Sequence, residues 1–169
     1  MEKHGIISKA ISEWLSPIVL VKKKDNTLRF CVDYRKLNSI SPRDQYPLPS
    51  LETILDQLGK SKYFSPLDLC SGYWQIAISE SDKAKTAFSD GINGVYVFNV
   101  MPFGLSNAPA SFQRMMDHVL RDFKNAVCYI DDVLIYSETF KEHIKHFGEV
   151  FELLRLHKLT LKPTKYSIF

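Results

Sequence analysis

The segment Ala126-Val127-Cys128-Tyr129-Ile130-Asp131-Asp132-Val133-Leu134-Ile135-Tyr136-Ser137 decides the fold of this chain. Two apolar runs, 126–130 and 133–137, flank a pair of adjacent aspartates. Short apolar runs that are bounded by polar residues are typical of β-strands. The pattern therefore predicts two strands that are joined at Asp131-Asp132.

Further elements are predicted on both sides of this pair. Residues 106–123 and 139–157 carry apolar side chains at helical spacing, so each stretch predicts a helix. Turn residues and strand-forming residues place the upstream elements. These are a short amphipathic helix over 5–14, a β-hairpin of 18–24 and 28–35, a Pro-rich connector over 39–49, a helix over 50–58 capped by Ser50, a strand over 63–69, and a hairpin of 86–89 and 95–100. Residues 160–162 and 166–169 are predicted to be extended.

From residue 63 onward, with the inner hairpin treated as an insertion, the order is strand, helix, strand, strand, helix, strand. This is the split βαβ, or ferredoxin-like, order of an α+β fold, with helices on one face of an antiparallel sheet. In it the first and second strands run parallel through a right-handed crossover, and the third lies antiparallel between them. Asp68, at the end of the first strand, should therefore share a sheet edge with Asp131 and Asp132.

Three carboxylates at one sheet edge suggest a metal site. Clustered carboxylates repel each other unless cations join them, and hard oxygen ligands favour Mg²⁺ or Mn²⁺ over zinc. The chemistry typical of such a cluster is phosphoryl transfer by two metal ions about 3.5–4 Å apart. Alternatively, Asp131-Asp132 is only a polar turn and Asp68 caps a helix near Ser71. Either alternative is plausible alone, but the shared edge favours the metal site.

Composition and charge narrow the class of protein. The chain has 169 residues, of which 45% are hydrophobic and 24% charged, which suits one globular domain or one domain with a small lobe. Basic residues outnumber acidic ones in 1–43 and 139–169, whereas acids dominate 44–138, so two basic ends suit a polyanionic partner. The three cysteines lie far apart in the sequence, which indicates a reduced protein. The sequence contains no apolar run long enough to indicate a membrane partner.

Four ordered motifs resemble those of reverse transcriptases. Tyr129-Ile130-Asp131-Asp132 resembles the Tyr-x-Asp-Asp box, and the stretch 67–76 is similar to the first catalytic motif. The template- and nucleotide-contacting motif of gypsy-type LTR retrotransposons is similar to Phe103-Gly104-Leu105-Ser106-Asn107-Ala108-Pro109 with Ser111-Phe112-Gln113. The stretch 16–38 is similar to the fingers hairpin. The resemblance covers nearly the whole chain in the right order.

The resemblance implies the fingers and palm of a right-hand polymerase, cut from a longer pol polyprotein. Residues 1–49 would form a fingers-like lobe, to which parts of 50–62 and 77–100 could also belong. Residues 50–169 would form the palm that carries the aspartate triad. Because the chain ends about where a palm ends, the thumb, connection and ribonuclease H regions are expected to be absent from it.

The resemblance also implies roles for individual residues. Asp68, Asp131 and Asp132 would hold two Mg²⁺ ions, or Mn²⁺ in their place, with help from the Leu69 carbonyl. The implied nucleotide-binding residues are Lys23, Arg29, Tyr73, Phe103 and Lys165, and the implied template and primer contacts are Gly104, Asn107, Pro109 and Tyr129. Tyr73 would exclude a ribose 2′-hydroxyl. Purely structural roles for these residues remain as alternatives. They are edge-strand protection for the lysines at 22–24, a core tyrosine at 73 and a solvated lysine at 165.

The sequence therefore predicts a reverse transcriptase core that adds deoxynucleotides to a primer 3′-hydroxyl by two-metal phosphoryl transfer. Its partners would be an RNA or DNA template with primer, deoxynucleoside triphosphates and the remainder of the polyprotein. It is expected in the cytoplasm, in virus-like particles of the parent element, with the nucleus as an alternative. A catalytically inactive or domesticated fragment that binds nucleic acid is a second hypothesis. A ferredoxin-like RNA-binding module is a third, but it predicts no acidic triad.

Overall fold

A computed structural model describes residues 1–22, 26–130 and 132–162 of the chain. Within these residues there are eight β-strands and five α-helices. The strands are β1 (Ile7–Lys9), β2 (Ile18–Lys22), β3 (Leu28–Val32), β4 (Tyr63–Asp68), β5 (Phe88–Ser89), β6 (Val95–Phe98), β7 (Ala126–Tyr129) and β8 (Asp132–Ser137). The helices are α1 (Arg35–Ile40), α2 (Leu51–Leu58), α3 (Glu80–Lys83), α4 (Ala108–Val119) and α5 (Phe140–Leu156). None of the helices that the structure describes is both long and apolar enough to cross a membrane.

The chain forms two compact units, and each is built from two separate stretches. The first unit consists of Met1–Asp44 and Tyr73–Ala108. The second consists of Gln45–Gly72 and the chain from Pro109 onward. The prediction placed a boundary at residue 49 and allowed parts of 50–62 and 77–100 to join the N-terminal lobe; in the structure β6, at 95–98, pairs with β1 in the first unit. The assignment of fingers and palm to particular residues stays a prediction.

The first unit contains a three-stranded sheet in the order β1-β6-β5 and a separate hairpin of β2 and β3. Its core consists of buried side chains from the hairpin, the sheet and the residue that precedes α1, namely Val32, Tyr34, Phe88, Tyr96 and Phe98. The Tyr34 hydroxyl donates to the Thr86 carbonyl at 2.9 Å, so its polar end is satisfied inside the core. The two hairpins predicted from turn signals are both present.

The helix predicted over residues 5–14 is wrong. This stretch instead contains β1, whose residue Ile7 lies opposite Phe98 of β6 in an antiparallel pair. Asn99 strengthens the pairing, since its backbone N–H donates to the Ile6 carbonyl at 2.9 Å. The stretch could be read as an amphipathic helix, but pairing with a distant strand determines its conformation.

The second unit has the predicted ferredoxin-like strand order. Strand β8 lies between β4 and β7 and is antiparallel to both, so β4 and β7 run parallel to each other. On the other side of β4, Leu69 forms an antiparallel bridge with Leu161, and the predicted extended stretch 160–162 thereby lies next to β4. The order across the sheet is therefore 160–162, β4, β8, β7. The prediction for 166–169 lies outside the described residues.

This sheet has one buried face and one open face. Alternation along each strand places Leu67, Val133 and Ile135 on the buried face. Other buried side chains come from the helices, including Phe112, Met116, Val150 and Leu154. The opposite face carries Phe64, Pro66, Asp68, Asp132 and Tyr129, which are exposed or only partly buried. The helices therefore leave one face of the sheet accessible.

Three of the predicted helices are confirmed, and two of the helices that the structure describes, α1 and α3, were missed. Ser50 caps α2 by accepting from the backbone N–H of Thr53, and Thr139 caps α5 by accepting from that of Glu142. Helix α4 is shorter than the predicted 106–123. The ends of α1 were assigned in the prediction to a strand and to the Pro-rich connector, and no element was predicted over the short helix α3.

Candidate active site

Asp68 and Asp132 lie side by side at one edge of the open sheet face. Asp68 is the last residue of β4 and lies directly opposite Asp132, the first residue of β8. Directly opposite residues of an antiparallel pair have their Cβ atoms about 4.5–5.5 Å apart and their side chains on the same face. The structure thus brings these two predicted site residues together, whereas Asp131 lies outside the described residues.

Tyr129 extends this pair into a row across three strands. It is the last residue of β7 and lies opposite Asp132 in the register of β7 and β8. Its side chain is exposed on the same face as the two carboxylates. An aromatic ring beside two acidic groups on an open surface is well placed to contact a ligand that these groups hold.

The turn that follows Tyr129 is strained. Ile130 has a φ of 59°, a region that β-branched residues rarely adopt because the side chain clashes with the backbone. Such a conformation costs about 1–3 kcal/mol and persists only where the surroundings hold it. One nearby restraint is the Cys128 thiol, which donates to the Ile130 carbonyl at 3.6 Å.

Leu69 follows Asp68 and is buried. The backbone N–H of Cys70 donates to the Thr160 carbonyl and that of Lys162 donates to the Asp68 carbonyl, each at 2.9 Å. These two bonds flank the bridge between Leu69 and Leu161, so the carbonyl of Leu69 points away from Leu161. The backbone N–H groups of the stretch 160–162 therefore donate no hydrogen bond to the Leu69 carbonyl, which the resemblance implied as a metal ligand.

The chemistry of these groups fits a magnesium ion. Mg²⁺ prefers oxygen ligands and is usually held by only one or two carboxylates together with water and substrate phosphates. Asp68 and Asp132 supply two carboxylates on an accessible surface. In the ranges 1–22, 26–130 and 132–162 there is no group of three or more His, Cys, Asp or Glu side chains placed to hold a metal. Two carboxylates on an accessible surface therefore meet the demands of Mg²⁺.

A cluster of three aromatic rings lies in the first unit. Tyr73 belongs to the 3-10 turn Gly72–Gln75, and its ring centroid lies 5.1 Å from that of Phe103. The Trp74 ring packs edge-on against Phe103 with centroids 6.0 Å apart. Phe103 is still 45% exposed, so the cluster presents an aromatic surface. The structure thus joins two of the predicted nucleotide-binding residues, Tyr73 and Phe103, and adds Trp74 to them.

The loop after Phe103 is held by Asn38. The Asn38 side chain donates to the Gly104 carbonyl at 2.8 Å and accepts from the Ser106 backbone N–H at 2.9 Å. Gly104 has a φ of 96°, and a Cβ there would lie 3.4 Å from the Val32 carbonyl oxygen. The backbone conformation and the nearby Val32 carbonyl, both within the first unit, therefore explain why this position is a glycine. A contact between Gly104 and template stays a prediction.

Asn107 also forms bonds within the first unit. Its amide donates to the Pro42 carbonyl at 2.8 Å and accepts from the Asp44 backbone N–H at 3.1 Å. These bonds attach the Pro-rich connector to the loop before α4. The predicted template contact of Asn107 would have to be made by a side chain whose donor and acceptor already have partners.

For the remaining predicted site residues that the structure describes, it gives a position but no contact that bears on their predicted roles. Pro109 is the second residue of α4, where a missing N–H costs little. Arg29 lies in β3 opposite Val21, and its side chain is exposed. Lys23 and Lys165 lie outside the described residues, so their predicted contacts with the nucleotide stay predictions.

A buried hydrogen-bond network beneath the acidic pair was missed. Gln113 of α4 is 1% exposed, and its amide donates to the Asp117 carboxylate at 2.9 Å and to the Cys128 carbonyl at 3.0 Å. Asp117 also accepts from the Tyr46 hydroxyl at 2.7 Å, and this bond raises the pKa of Tyr46. The helical spacing of Gln113 and Asp117 was the available signal, because side chains four residues apart meet on a helix. Nothing in the sequence pattern indicated the contact with Cys128.

Comparison with known families agrees with the fold and the motifs. Residues 21–169 match the family model described as reverse transcriptase (RNA-dependent DNA polymerase). The Pol polyproteins of the Drosophila melanogaster transposons opus and gypsy are 46% and 44% identical to this chain over 96% and 99% of its length. Polyprotein P3 of Commelina yellow mottle virus is 43% identical over 87% of the chain. The chain belongs to the reverse transcriptase family, and the resemblance to gypsy-type polyproteins is confirmed.

Solved structures of the foamy viral protease–reverse transcriptase also match. The complex of its dRH form with double-stranded DNA has a TM-score of 0.90 and 30% identity, and covers 99% of this chain and 30% of the viral one. The complex with an RNA/DNA hybrid has a TM-score of 0.88 and 30% identity, covering 99% and 22%. By contrast, the chain spans only 17% of the length of the opus and gypsy polyproteins.

Proposed function

We propose that this chain is a reverse transcriptase core that adds deoxynucleotides to a primer 3′-hydroxyl under the direction of an RNA or DNA template. The observation that carries the proposal is the position of Asp68 and Asp132, which lie opposite each other on an open sheet face within a chain of this family. Carboxylates in this arrangement suit phosphoryl transfer, because they hold cations against the phosphates of a substrate.

The proposed metal ligands are Asp68, Asp131 and Asp132, assisted by the Leu69 carbonyl. Two Mg²⁺ ions, or Mn²⁺ in their place, would lower the pKa of the primer hydroxyl and neutralise the triphosphate and the departing pyrophosphate. The protein's own contribution is to hold the carboxylates of Asp68 and Asp132 on paired strands, so that little reorganisation is needed when the substrate binds. Tyr129, in the same row, is proposed to contact the primer terminus.

Most of the proposed nucleotide contacts come from the first unit. Tyr73 would lie under the sugar, with Phe103 beside it, because their packed rings present a rigid apolar surface. Arg29 and Lys23 would bind the triphosphate, since Arg offers a planar fork of donors and Lys a compact charge. Lys165 is proposed to act on the pyrophosphate. Gly104, Asn107 and Pro109 are proposed to contact the template.

The proposed partners follow from the relatives. The foamy viral enzyme has been solved with double-stranded DNA and with an RNA/DNA hybrid. Primer–template duplexes of both kinds are therefore the proposed ligands of this chain, with deoxynucleoside triphosphates as substrates. The relatives named as Pol polyproteins support a parent polypeptide that contains this chain as one part.

The proposal is tested by substituting one proposed metal ligand. Asp68→Asn keeps the size of the side chain but removes its charge, so Mg²⁺-dependent primer extension should fall at least about a hundredfold, which is about 2.7 kcal/mol. The measurement is extension of a labelled DNA primer on an RNA template by the 169-residue chain. Asp122→Asn is the matched control, because Asp122 is an exposed aspartate outside this sheet face.

Two results would contradict the proposal. Extension by Asp68→Asn at the rate of the unchanged chain would mean that the assigned site is wrong. An unchanged chain that binds primer–template without extending it would favour the alternative of an inactive fragment. Circular dichroism of both variants shows whether the fold is retained, since neither substitution removes buried packing.

A further inference from the structure

Gln113 is a buried polar residue that the proposed catalysis leaves without a role. It lies in α4, and its amide nitrogen donates to the Cys128 carbonyl at 3.0 Å. Cys128 is the residue before Tyr129, at the end of the strand that leads into the strained turn. A strained backbone persists only where neighbouring groups restrain it. Gln113 supplies such a restraint from outside the hairpin.

The orientation of the Gln113 amide is determined by its neighbours. Both groups within reach, the Asp117 carboxylate and the Cys128 carbonyl, are hydrogen-bond acceptors. The reverse orientation would place the amide oxygen against one or both of these acceptors, so the nitrogen must face them. In the part of the chain that the structure describes, the amide oxygen of Gln113 has no hydrogen-bond partner although it is buried.

An unpaired buried acceptor destabilises a fold, so an apolar residue of similar size would be the simpler solution at this position. The amide therefore contributes through its nitrogen alone. Asp117 holds that nitrogen in place, and the Tyr46 hydroxyl holds Asp117 at 2.7 Å. Arg114 lies over the Tyr46 ring, 4.6 Å from its centroid, and completes this chain of contacts.

We propose that Gln113 is a positioning residue of the catalytic site, which holds the Cys128 carbonyl and thereby the strained turn that sets Asp132 opposite Asp68. This inference rests on the proposed function. Without the Gln113 donor, the turn at Ile130 can relax towards an unstrained conformation. Asp132 then shifts along the strand relative to Asp68, and the two carboxylates no longer share the spacing that a bound cation requires.

The test is Gln113→Met, which keeps the length and most of the volume of the side chain and removes only the amide. We expect kcat at saturating substrate to fall by about tenfold to a hundredfold, since small displacements of reacting groups have effects of this size. The Mg²⁺ concentration for half-maximal rate should rise, whereas KM for the deoxynucleotide should stay within about twofold, because no nucleotide contact is changed. Titration of active sites corrects kcat for any misfolded fraction.

Gln57→Met is the matched control. Gln57 lines the same cleft as Gln113 but is exposed, so the same chemical change there should leave kcat and the Mg²⁺ requirement unaltered. Should Gln113→Met fail to fold, Asp117→Asn provides the second variant. It leaves one acceptor for two donors, Tyr46 and Gln113, so it should change kcat and the Mg²⁺ requirement in the same direction by a smaller factor.

The outcomes separate the two proposals. An unchanged chain that extends primers, together with a folded Gln113→Met of normal kcat and Mg²⁺ requirement, overturns the positioning role alone. An equal loss of kcat in Gln57→Met also overturns the positioning role, because it would show that any such substitution in this cleft lowers kcat. Normal kinetics of Asp117→Asn overturn it where Gln113→Met does not fold. If the unchanged chain has no activity, the proposed function fails and this inference fails with it.

Discussion

At the scale of single residues, the aromatic pair Tyr73 and Phe103 is proposed to act in substrate choice. Their ring centroids are 5.1 Å apart, and Trp74 packs against Phe103 from another side. A ring held by its neighbours cannot easily move aside for an extra hydroxyl group on a sugar. Discrimination by a rigid contact of this kind depends on the ring and much less on its hydroxyl.

We therefore expect Tyr73→Ala to raise the incorporation of ribonucleotides relative to deoxynucleotides by at least about tenfold, or about 1.4 kcal/mol. Tyr73→Phe retains the ring and should preserve the discrimination of the unchanged chain. The measurement is kcat/KM for a ribonucleotide and for the matching deoxynucleotide with one primer–template. A ratio that is the same in Tyr73→Ala and Tyr73→Phe would exclude a steric role for this ring.

At the scale of elements, predictions succeeded where local signals determine the structure. The predicted cap at Ser50 and regular apolar spacing were enough for α2, and regular apolar spacing was enough for α5. The prediction of a helix over 5–14 was wrong because this stretch pairs with β6, which lies some 90 residues away in the sequence. The shared sheet edge of Asp68 and Asp132 could be predicted from topology, whereas the bond from Gln113 to Cys128 depends on how α4 packs on the sheet.

His143 joins three elements of the second unit. It is fully buried on α5, and its two ring nitrogens bond to Ser65 of β4 and Ser137 of β8, each at 2.9 Å. Ser137 also bonds to His146 at 2.8 Å, and the ring of Tyr63 lies 6.1 Å from that of His143. Burial, and the nearby His146, lower the pKa of His143 below its ordinary value of 6.5.

This lowered pKa predicts a loss of stability in mild acid. The folded chain holds His143 neutral, whereas the unfolded chain protonates it below about pH 6.5, so the free energy of unfolding falls as pH drops from 6.5 through the folded pKa. Urea unfolding at pH 8 and pH 5.5 measures this difference. His143→Gln should be less stable at pH 8 by about 1–3 kcal/mol but should change less between the two pH values.

His4→Gln is the control for this experiment, because His4 is exposed at the N-terminus. It should follow the pH dependence of the unchanged chain. A pH dependence that is equally steep in His143→Gln and the unchanged chain would mean that other groups cause the acid sensitivity.

At the scale of the whole molecule, the uneven charge matters more than the net charge of +3. Three consecutive lysines occupy positions 22–24 in the basic N-terminal stretch. Two lysines elsewhere pair with acidic side chains, Lys83 with Glu80 and Lys85 with Asp82, each at 2.5 Å. Clusters of basic residues release counterions from nucleic acid when they bind it, whereas paired lysines contribute less.

Replacing the three lysines at 22–24 with glutamine should weaken binding to primer–template and reduce the salt dependence of the binding constant. The slope against the logarithm of salt concentration should fall by about 0.9 for each phosphate that the variant no longer neutralises. Fluorescence anisotropy at several salt concentrations measures it. The charge-matched control replaces Lys83, Lys85 and Lys145, the last of which pairs with Glu149 at 3.7 Å. If the slope falls equally in both triple variants, binding depends on total charge and not on the cluster.

The composition of each unit from two separate stretches has a consequence for biosynthesis. The first unit joins Met1–Asp44 to Tyr73–Ala108, and a hydrogen bond between Ser8 and Asn99 spans 91 residues of sequence. During translation, β4 leaves the ribosome well before β8, the strand that covers its edge. A nascent chain that stalls after β4 has emerged and before β8 has emerged therefore carries an uncovered strand, which invites association with other chains. Ribosome speed through this interval should thus influence how much of the protein reaches its folded state.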